Sequence, residues 1–338
     1  MRLLIFTQKV DSLDPVLGFF HAWIKEFATN YESVEVICLE KGEFDLPRNV
    51  TVYSLGKEKG ASSLQCLRNF YHYLFLIRNS YDKVFVHMNQ EYVLLAGLYW
   101  KIKKVSVYLW RNHPLGNIFT RTAVLLSTKV FCTSPNSFTA NFRKTIIMPV
   151  GYDNAIFKMT EGVVRKKYSV LILGRISPIK HIDLAVKAAS HLVQSGFQIS
   201  LNIVGPVPNR DIVYLESLKK MVVKLELSTC VTFGDEVTRI EAPEVFSGHE
   251  ICLNLTDSFD KTIVEAAACG AIPLVSNKAL SRFLPKVCVT NSSPESIALS
   301  LQQLLEAHVQ TRIQSELRSF VESQSLSSLM KKLSVEMQ

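Results

Sequence analysis

Short apolar runs alternate with amphipathic stretches along most of the chain. In the first half, Leu3–Gln8, Val34–Leu39, Val50–Tyr53, Val84–His87, Val105–Trp110, Lys129–Thr133 and Ile146–Val150 have the length and β-branched content of buried strands. Between them, Phe19–Thr29, Leu64–Arg78, Tyr92–Lys101 and Leu115–Ser127 carry apolar residues at helical spacing. Strands that alternate with helices imply a parallel sheet covered on both faces. The polar, basic stretch Gly151–Lys167 breaks this rhythm and marks a domain joint. The alternation then restarts with strands at Ser169–Gly174, Gln198–Val204, Val231–Gly234, Glu250–Leu255, Ala271–Val275 and Val287–Thr290. Helices are expected at Ile182–Gln194, Ile212–Leu225, Ala242–Phe246, Thr262–Cys269, Pro294–Ala307 and Thr311–Glu336. No repeat at solenoid spacing is present. The economical reading is α/β: two doubly wound parallel-sheet domains in tandem, at 1–150 and 151–321.

Composition narrows the class. A chain of 338 residues, 48% hydrophobic and 20% charged, buries a large core and leaves little room for disorder. Its seven cysteines stand singly, with no CxxC pair, which argues for buried thiols in a reducing compartment and against a zinc site. The apolar run after Met1 is too short for a signal peptide. The longest candidate membrane segment, Tyr92–Tyr108, is interrupted by Lys101, Lys103 and Lys104. A cytoplasmic protein is expected. Its charge is lopsided: residues 1–150 hold 18 Lys and Arg against 11 Asp and Glu, whereas residues 151–338 hold 20 against 19. Either an anionic partner for the first half or an ordinary solvated surface accounts for that excess.

Candidate chemistry concentrates between Thr256 and Gly270. A loop leaves the Glu250–Leu255 strand and enters the alanine-rich helix, and such carboxyl-edge loops are where open α/β sheets bind ligands. Asp257 and Glu265 flank the helix start, whose amides suit an anion. An N-capping aspartate plus one solvated glutamate would look the same. No G-x-G-x-x-G or P-loop pattern follows any strand, so phosphate would have to be held by side chains and helix ends. Gly174–His181 offers Arg175 and Lys180 at a second carboxyl edge, a cationic clamp for a diphosphate or two solvated surface charges. A charge contact at about 4 Å is worth on the order of 4 kcal/mol at an effective dielectric near 20. Helix-end effects add about 0.3–1 kcal/mol each, so the side chains would dominate.

These residues resemble a family-4 retaining glycosyltransferase of the GT-B fold. The matching pieces are G-R-x-x-P-x-K at 174–180, Val204-Gly205, Val231–Gly234, and the E-x7-E-like stretch from Asp257 to Glu265 running on to Pro273. Ile147–Asp153 with Phe157 is similar to the family's inter-domain signature. The likeness covers 146–290 in order and is looser over 1–145. It implies two Rossmann-like domains facing a cleft, with a helix at about 322–338 packing back on the first. It also implies hexosyl transfer from a nucleotide-diphosphate sugar to a glycan or lipid-linked acceptor hydroxyl, without metal or other cofactor. Arg175 and Lys180 would bind the diphosphate, Glu265 the ribose, and Asp257 a sugar hydroxyl. Phe259, Asp260, Lys261 and Thr262 would line the donor, Thr262 through its amide, and Gly234 would lie near the base. Gly18 would mark the first loop, His113 the reaction centre, and His87 and Asn89 the acceptor side.

Two departures stand out: the family has Glu at the place of Asp257 and often Gly at that of Asp260, where an added carboxylate must point away or pair with Lys261. A nucleotide-sugar epimerase of the same architecture and a non-catalytic nucleotide-sugar-binding relative remain alternatives. The aromatic, Arg-bearing helix 64–78 with Lys101, Lys103 and Lys104 suggests either peripheral contact with the inner face of a membrane or a core helix with snorkelling ends. No nucleic-acid partner is implied.

Overall fold

A computed structural model describes residues 1–14, 16–256, 260–277 and 283–338. By contact density the chain divides into two compact units: residues 1–151 with 326–338, and residues 152–325.

The first unit is built on a seven-stranded sheet whose paired strands all run parallel, ordered β3-β2-β1-β4-β5-β6-β7. These strands are Arg2–Val10, Ser33–Lys41, Val50–Ser54, Lys83–His87, Ser106–Trp110, Lys129–Cys132 and Thr145–Ile147, numbered β1 to β7 in chain order. Because side chains alternate along a strand, β1 feeds two cores at once. Leu3 and Ile5 join α1 (Phe19–Asn30), which buries Phe20, Trp23, Ile24 and Phe27 at helical spacing. Leu4 and Phe6 join the layer of α2 (Ser63–Leu76), α3 (Glu91–Ile102) and α4 (Ile118–Leu126) on the opposite face.

Two of these helices start where a side-chain cap permits. Ser62 and Gln65 form a reciprocal capping box at α2. Asn117 and Thr120 do the same at α4, which explains why that helix begins three residues later than its apolar pattern suggests.

The last helix, Leu326–Glu336, completes the α1 core with Leu326, Leu329, Met330 and Leu333. It is tied to sheet residues through cations: Lys83 Nζ donates to the Met337 carbonyl, Lys129 reaches Glu336 at 3.0 Å, and Lys332 Nζ donates to the Ile147 carbonyl at 2.7 Å. Gly151 adopts a left-handed conformation (φ +68°) against this helix, where an added Cβ would collide with Leu329.

The second unit has a five-stranded parallel sheet in the order β10-β9-β8-β11-β12. Its strands are Lys166–Leu173, Ser200–Val204, Val231–Gly234, His249–Asn254 and Ile272–Val275, β8 to β12 in chain order. Helices α5 (Ile182–Gln194), α6 (Ile212–Lys224), α7 (Ala242–Ser247) and α8 (Thr262–Ala268) connect them, followed by Pro294–Leu304 and Ala307–Ser323. Chain order reverses between β8 and β11, so the loops leaving those two paired strands diverge at the carboxyl edge.

Two expectations differ from the observed elements. Val287–Thr290 is not a strand but a 3-10 turn at Lys286–Cys288 followed by a single bridge from Val289 to Val275, since a one-residue pairing does not extend a sheet. The expected helix 311–336 is two helices, broken where Ser325 bridges to Tyr152. All seven cysteines are free thiols, five of them buried. Among the described residues no helix is long and apolar enough to cross a membrane.

Leu329 is fully buried at the contact between α1 and the last helix. Leu329→Ala is therefore expected to cost about 2–5 kcal/mol through lost transfer energy and a residual cavity. The exposed Lys332→Ala is expected to cost under about 1 kcal/mol. Urea unfolding followed by tryptophan fluorescence measures both.

Candidate functional site

A set of chemically able side chains in the second unit lies at the carboxyl edge of the five-stranded sheet, where β8 and β11 end side by side. After β8 the chain passes Gly174 and Arg175, makes a 3-10 turn at Pro178–Lys180, and enters α5. The neighbouring loop after β9 begins at Gly205, whose φ of +145° and closeness to the Gly174 carbonyl leave no room for a Cβ. The Gly174 amide donates to the Val204 carbonyl (2.9 Å) and the Gly205 amide to Gly234 (3.4 Å), so the ends of three strands are joined through glycines.

Lys180 points back from its turn to form an ion pair with Asp260, each side chain only 15% exposed. Asp260 also accepts from Asn254 Nδ2 at 2.8 Å and from the Thr262 amide at 3.1 Å. Burial pushes the Asp260 carboxyl up, but Lys180 and then the hydrogen bonds outweigh burial and hold it below the ordinary carboxylate range. The expectation for Asp260 was that it points away or pairs with Lys261; the structure pairs it with Lys180 instead. The reason is local: Lys261 directly precedes α8 and reaches along that helix to Glu265, one turn on, at 3.7 Å.

Glu265 and Lys261 form a second, half-buried charge cluster with Arg239 and Asp153. Arg239 Nη2 is 3.1 Å from Asp153, and its guanidinium lies over the Phe157 ring, 5.7 Å from the centroid. Burial lowers the Lys261 ammonium to about 8, against the pull of Glu265. Burial likewise raises the Glu265 carboxyl, with Lys261 and Arg239 opposing. Arg175 is exposed and has no hydrogen-bond or ion-pair partner among the described residues. Gly234 ends β10 at the same edge. Asp257 and Phe259 lie outside the described residues.

In the first unit the expected residues gather less tightly. His113 is exposed, and its Nδ1 accepts from the Leu115 amide at 3.0 Å. Gly18 caps α1, where an added Cβ would press on the Asp14 carbonyl. Asn89, past the end of β4, donates to Gln8 Oε1 at 2.8 Å. His87, the last residue of β4, turns its side chain inward instead. Only 1% exposed, His87 stacks on Phe20 with centroids 4.0 Å apart, and its Nδ1 lies 3.3 Å from Thr7 Oγ1.

Two members of the site are invisible to motif reading. Asn254 had one signal, a polar residue ending an apolar strand, and buried amides need partners. Arg239 sits in a polar loop and had none.

Residues 167–307 match the family model described as Glycosyl transferases group 1. No curated protein matches the sequence. Among solved structures, Anabaena HepE in complex with UDP and glucose superposes with a TM-score of 0.76 at 16% identity, covering 100% of this chain and 99% of that one. Sucrose-phosphate synthase from Thermosynechococcus elongatus gives 0.73 at 14% identity, covering 99% and 97%. A mutant of S. aureus TarM in complex with fondaparinux, α-GlcNAc-glycerol and UDP gives 0.74 at 11%, covering 100% and 99%. The architecture of two parallel-sheet α/β domains is thus that of GT-B glycosyltransferases.

The Lys180–Asp260 pair gives a stability test. Lys180→Met strands a carboxylate that is mostly withdrawn from water and is expected to cost about 3–5 kcal/mol. Adding Asp260→Asn should recover most of that loss. Asp260 is held below its unfolded pKa, so its contribution is present above about pH 4 and fades as pH falls through the lower folded value. Urea titrations of both variants and the parent, at neutral and acid pH, measure these differences.

Proposed function

We propose that this chain is a retaining hexosyltransferase that moves a sugar from a nucleotide-diphosphate donor to an acceptor hydroxyl. The observation that carries the reading is the convergence of Lys180, Asn254 and the Thr262 amide on one carboxylate at the β8–β11 switch point. Donors that hold a carboxylate there are of the kind that hold a phosphate. A UDP-sugar is the first candidate donor, because UDP or UDP-glucose is bound in the HepE structures.

In this reading Arg175 and Lys180 grip the diphosphate and Glu265 accepts from the ribose hydroxyls. Gly234 lies beside the base. In the same reading His113 belongs to the reaction centre, Asn89 to the acceptor side and Gly18 to the donor. The acceptor oxygen attacks the anomeric carbon from the leaving-group face while the bond from that carbon to the phosphate oxygen breaks. The acceptor proton passes to the departing phosphate, and the nucleoside diphosphate leaves. Cations aimed at charge that develops only in the transition state raise the rate without a protein nucleophile. A metal ion is not part of this scheme.

Asp260 acquires a role here as a tethered competitor. A diphosphate must displace its carboxylate from Lys180 before binding there, so free enzyme holds its site neutralised.

Arg175→Ala and Glu265→Gln are each expected to cut transfer by about 100-fold or more, with thermal stability little changed for the exposed Arg175. Unchanged turnover in both would sink the proposal. Asp260→Asn should tighten UDP binding by about tenfold in calorimetry, equivalent to about 1.4 kcal/mol. Weaker binding in that variant would mean that Asp260 contacts the donor instead. A thermal-shift screen against UDP-, GDP- and ADP-sugars identifies the base.

A further inference from the structure

The layer of α2, α3 and α4 has the wrong outer face for water. Its inner face fills the second core of the first unit, as an amphipathic helix should. Yet α3 is apolar nearly all round, and its solvent side carries Leu95, Leu98 (66% exposed) and Ile102 (80%) at positions one helical turn apart. Beside it, α4 turns Ile118 (67%), Phe119 and Leu125 (70%) outward. On the other flank α2 exposes Leu67, Tyr71 and Phe75, joined to α3 by the Tyr71 hydroxyl on the Leu95 carbonyl and by the Phe75–Tyr99 ring contact. Scattered exposed apolar residues are ordinary, but stripes on three neighbouring helices form a patch that something covers.

Charge says what covers it. Lys101, Lys103 and Lys104 all stand exposed at the end of α3, with Arg121 on α4 and Arg143 beyond it. Leu125 and Phe142 wall a cavity of about 650 Å³ that these two arginines rim. Protein interfaces are depleted in lysine, and a second copy of this surface would bring its own cations together. Apolar side chains ringed by Lys and Arg fit the boundary of an anionic bilayer, where acyl chains meet phosphate headgroups. We infer that the outer face of α2, α3 and α4 docks on anionic lipid membranes, with Leu98 and Ile102 entering the acyl boundary and the α3 lysines meeting phosphates. This docking is separate from sugar transfer and is measured without any nucleotide sugar.

The test is co-sedimentation of the full chain with vesicles of phosphatidylcholine alone and with phosphatidylglycerol added, at low and high salt. The parent is expected to pellet with the anionic vesicles and to release at high salt. Each lysine near such a surface contributes about a factor of five to ten, so the combined variant Lys101→Ala, Lys103→Ala, Lys104→Ala should bind on the order of 100-fold more weakly. Leu98→Glu with Ile102→Glu should abolish pelleting while circular dichroism, unchanged for substitutions at exposed positions, reports an intact fold. No pelleting of the parent, or equal pelleting of parent and both variants, overturns the inference. So does a concentration-dependent dimer in size exclusion that Leu98→Glu abolishes while vesicle binding is absent, since that assigns the face to a second copy.

Discussion

A carboxylate withdrawn from most of its water must be met by donors in place, and Asp260 is met by three. Lys180 supplies the charge, Asn254 and the Thr262 amide supply directed hydrogen bonds, and each comes from a different local segment. That single group therefore holds together the turn after β8, the end of β11 and the start of α8. A buried ion pair gains little net stability over an apolar pair, but removing one partner is costly. The pair thus acts less as a source of stability than as a constraint on which conformation the edge adopts.

The same edge carries a second charge cluster with a different balance. Around Asp260 the compensation is nearly complete, and the carboxyl is held low. Around Glu265 and Lys261 burial wins, so the carboxyl is raised and the ammonium lowered to about 8. One helical turn separates the two carboxylates, yet their environments push them in opposite directions. Groups with divergent proton affinities at a sheet's carboxyl edge mark a candidate functional site. Arg239, held by Asp153 and lying over Phe157, lends its charge to the second cluster.

Much of the fold was legible because periodicity reports burial, and burial here follows a simple layered plan. Strand segments such as Leu3–Phe6 and Val84–Val86 are apolar without alternation, as a sheet covered on both faces requires, and all but the last expected strand form. Where the pattern misled, local stereochemistry had overridden it: capping by Asn117 shortened α4, and the Ser325–Tyr152 bridge split the last helix. Of the candidate site, Lys180 and Glu265 stood out along the chain as charges beside strand ends, whereas the burial of His87 was not legible: it ends β4 but stacks within the aromatic core.

The sequence by itself determined two parallel α/β sheets, the strand ends where charged residues collect, and the identity of a cationic turn and an acidic helix start. Those depend on local spacing and on which residues avoid water, both of which are written along the chain. Only the tertiary structure decided which charge meets which. Lys180 and Asp260 lie eighty positions apart, and no periodicity links them. Their pairing follows from β8 and β11 being neighbours in the sheet, a relation set by how strands are ordered in space and not by their order along the chain.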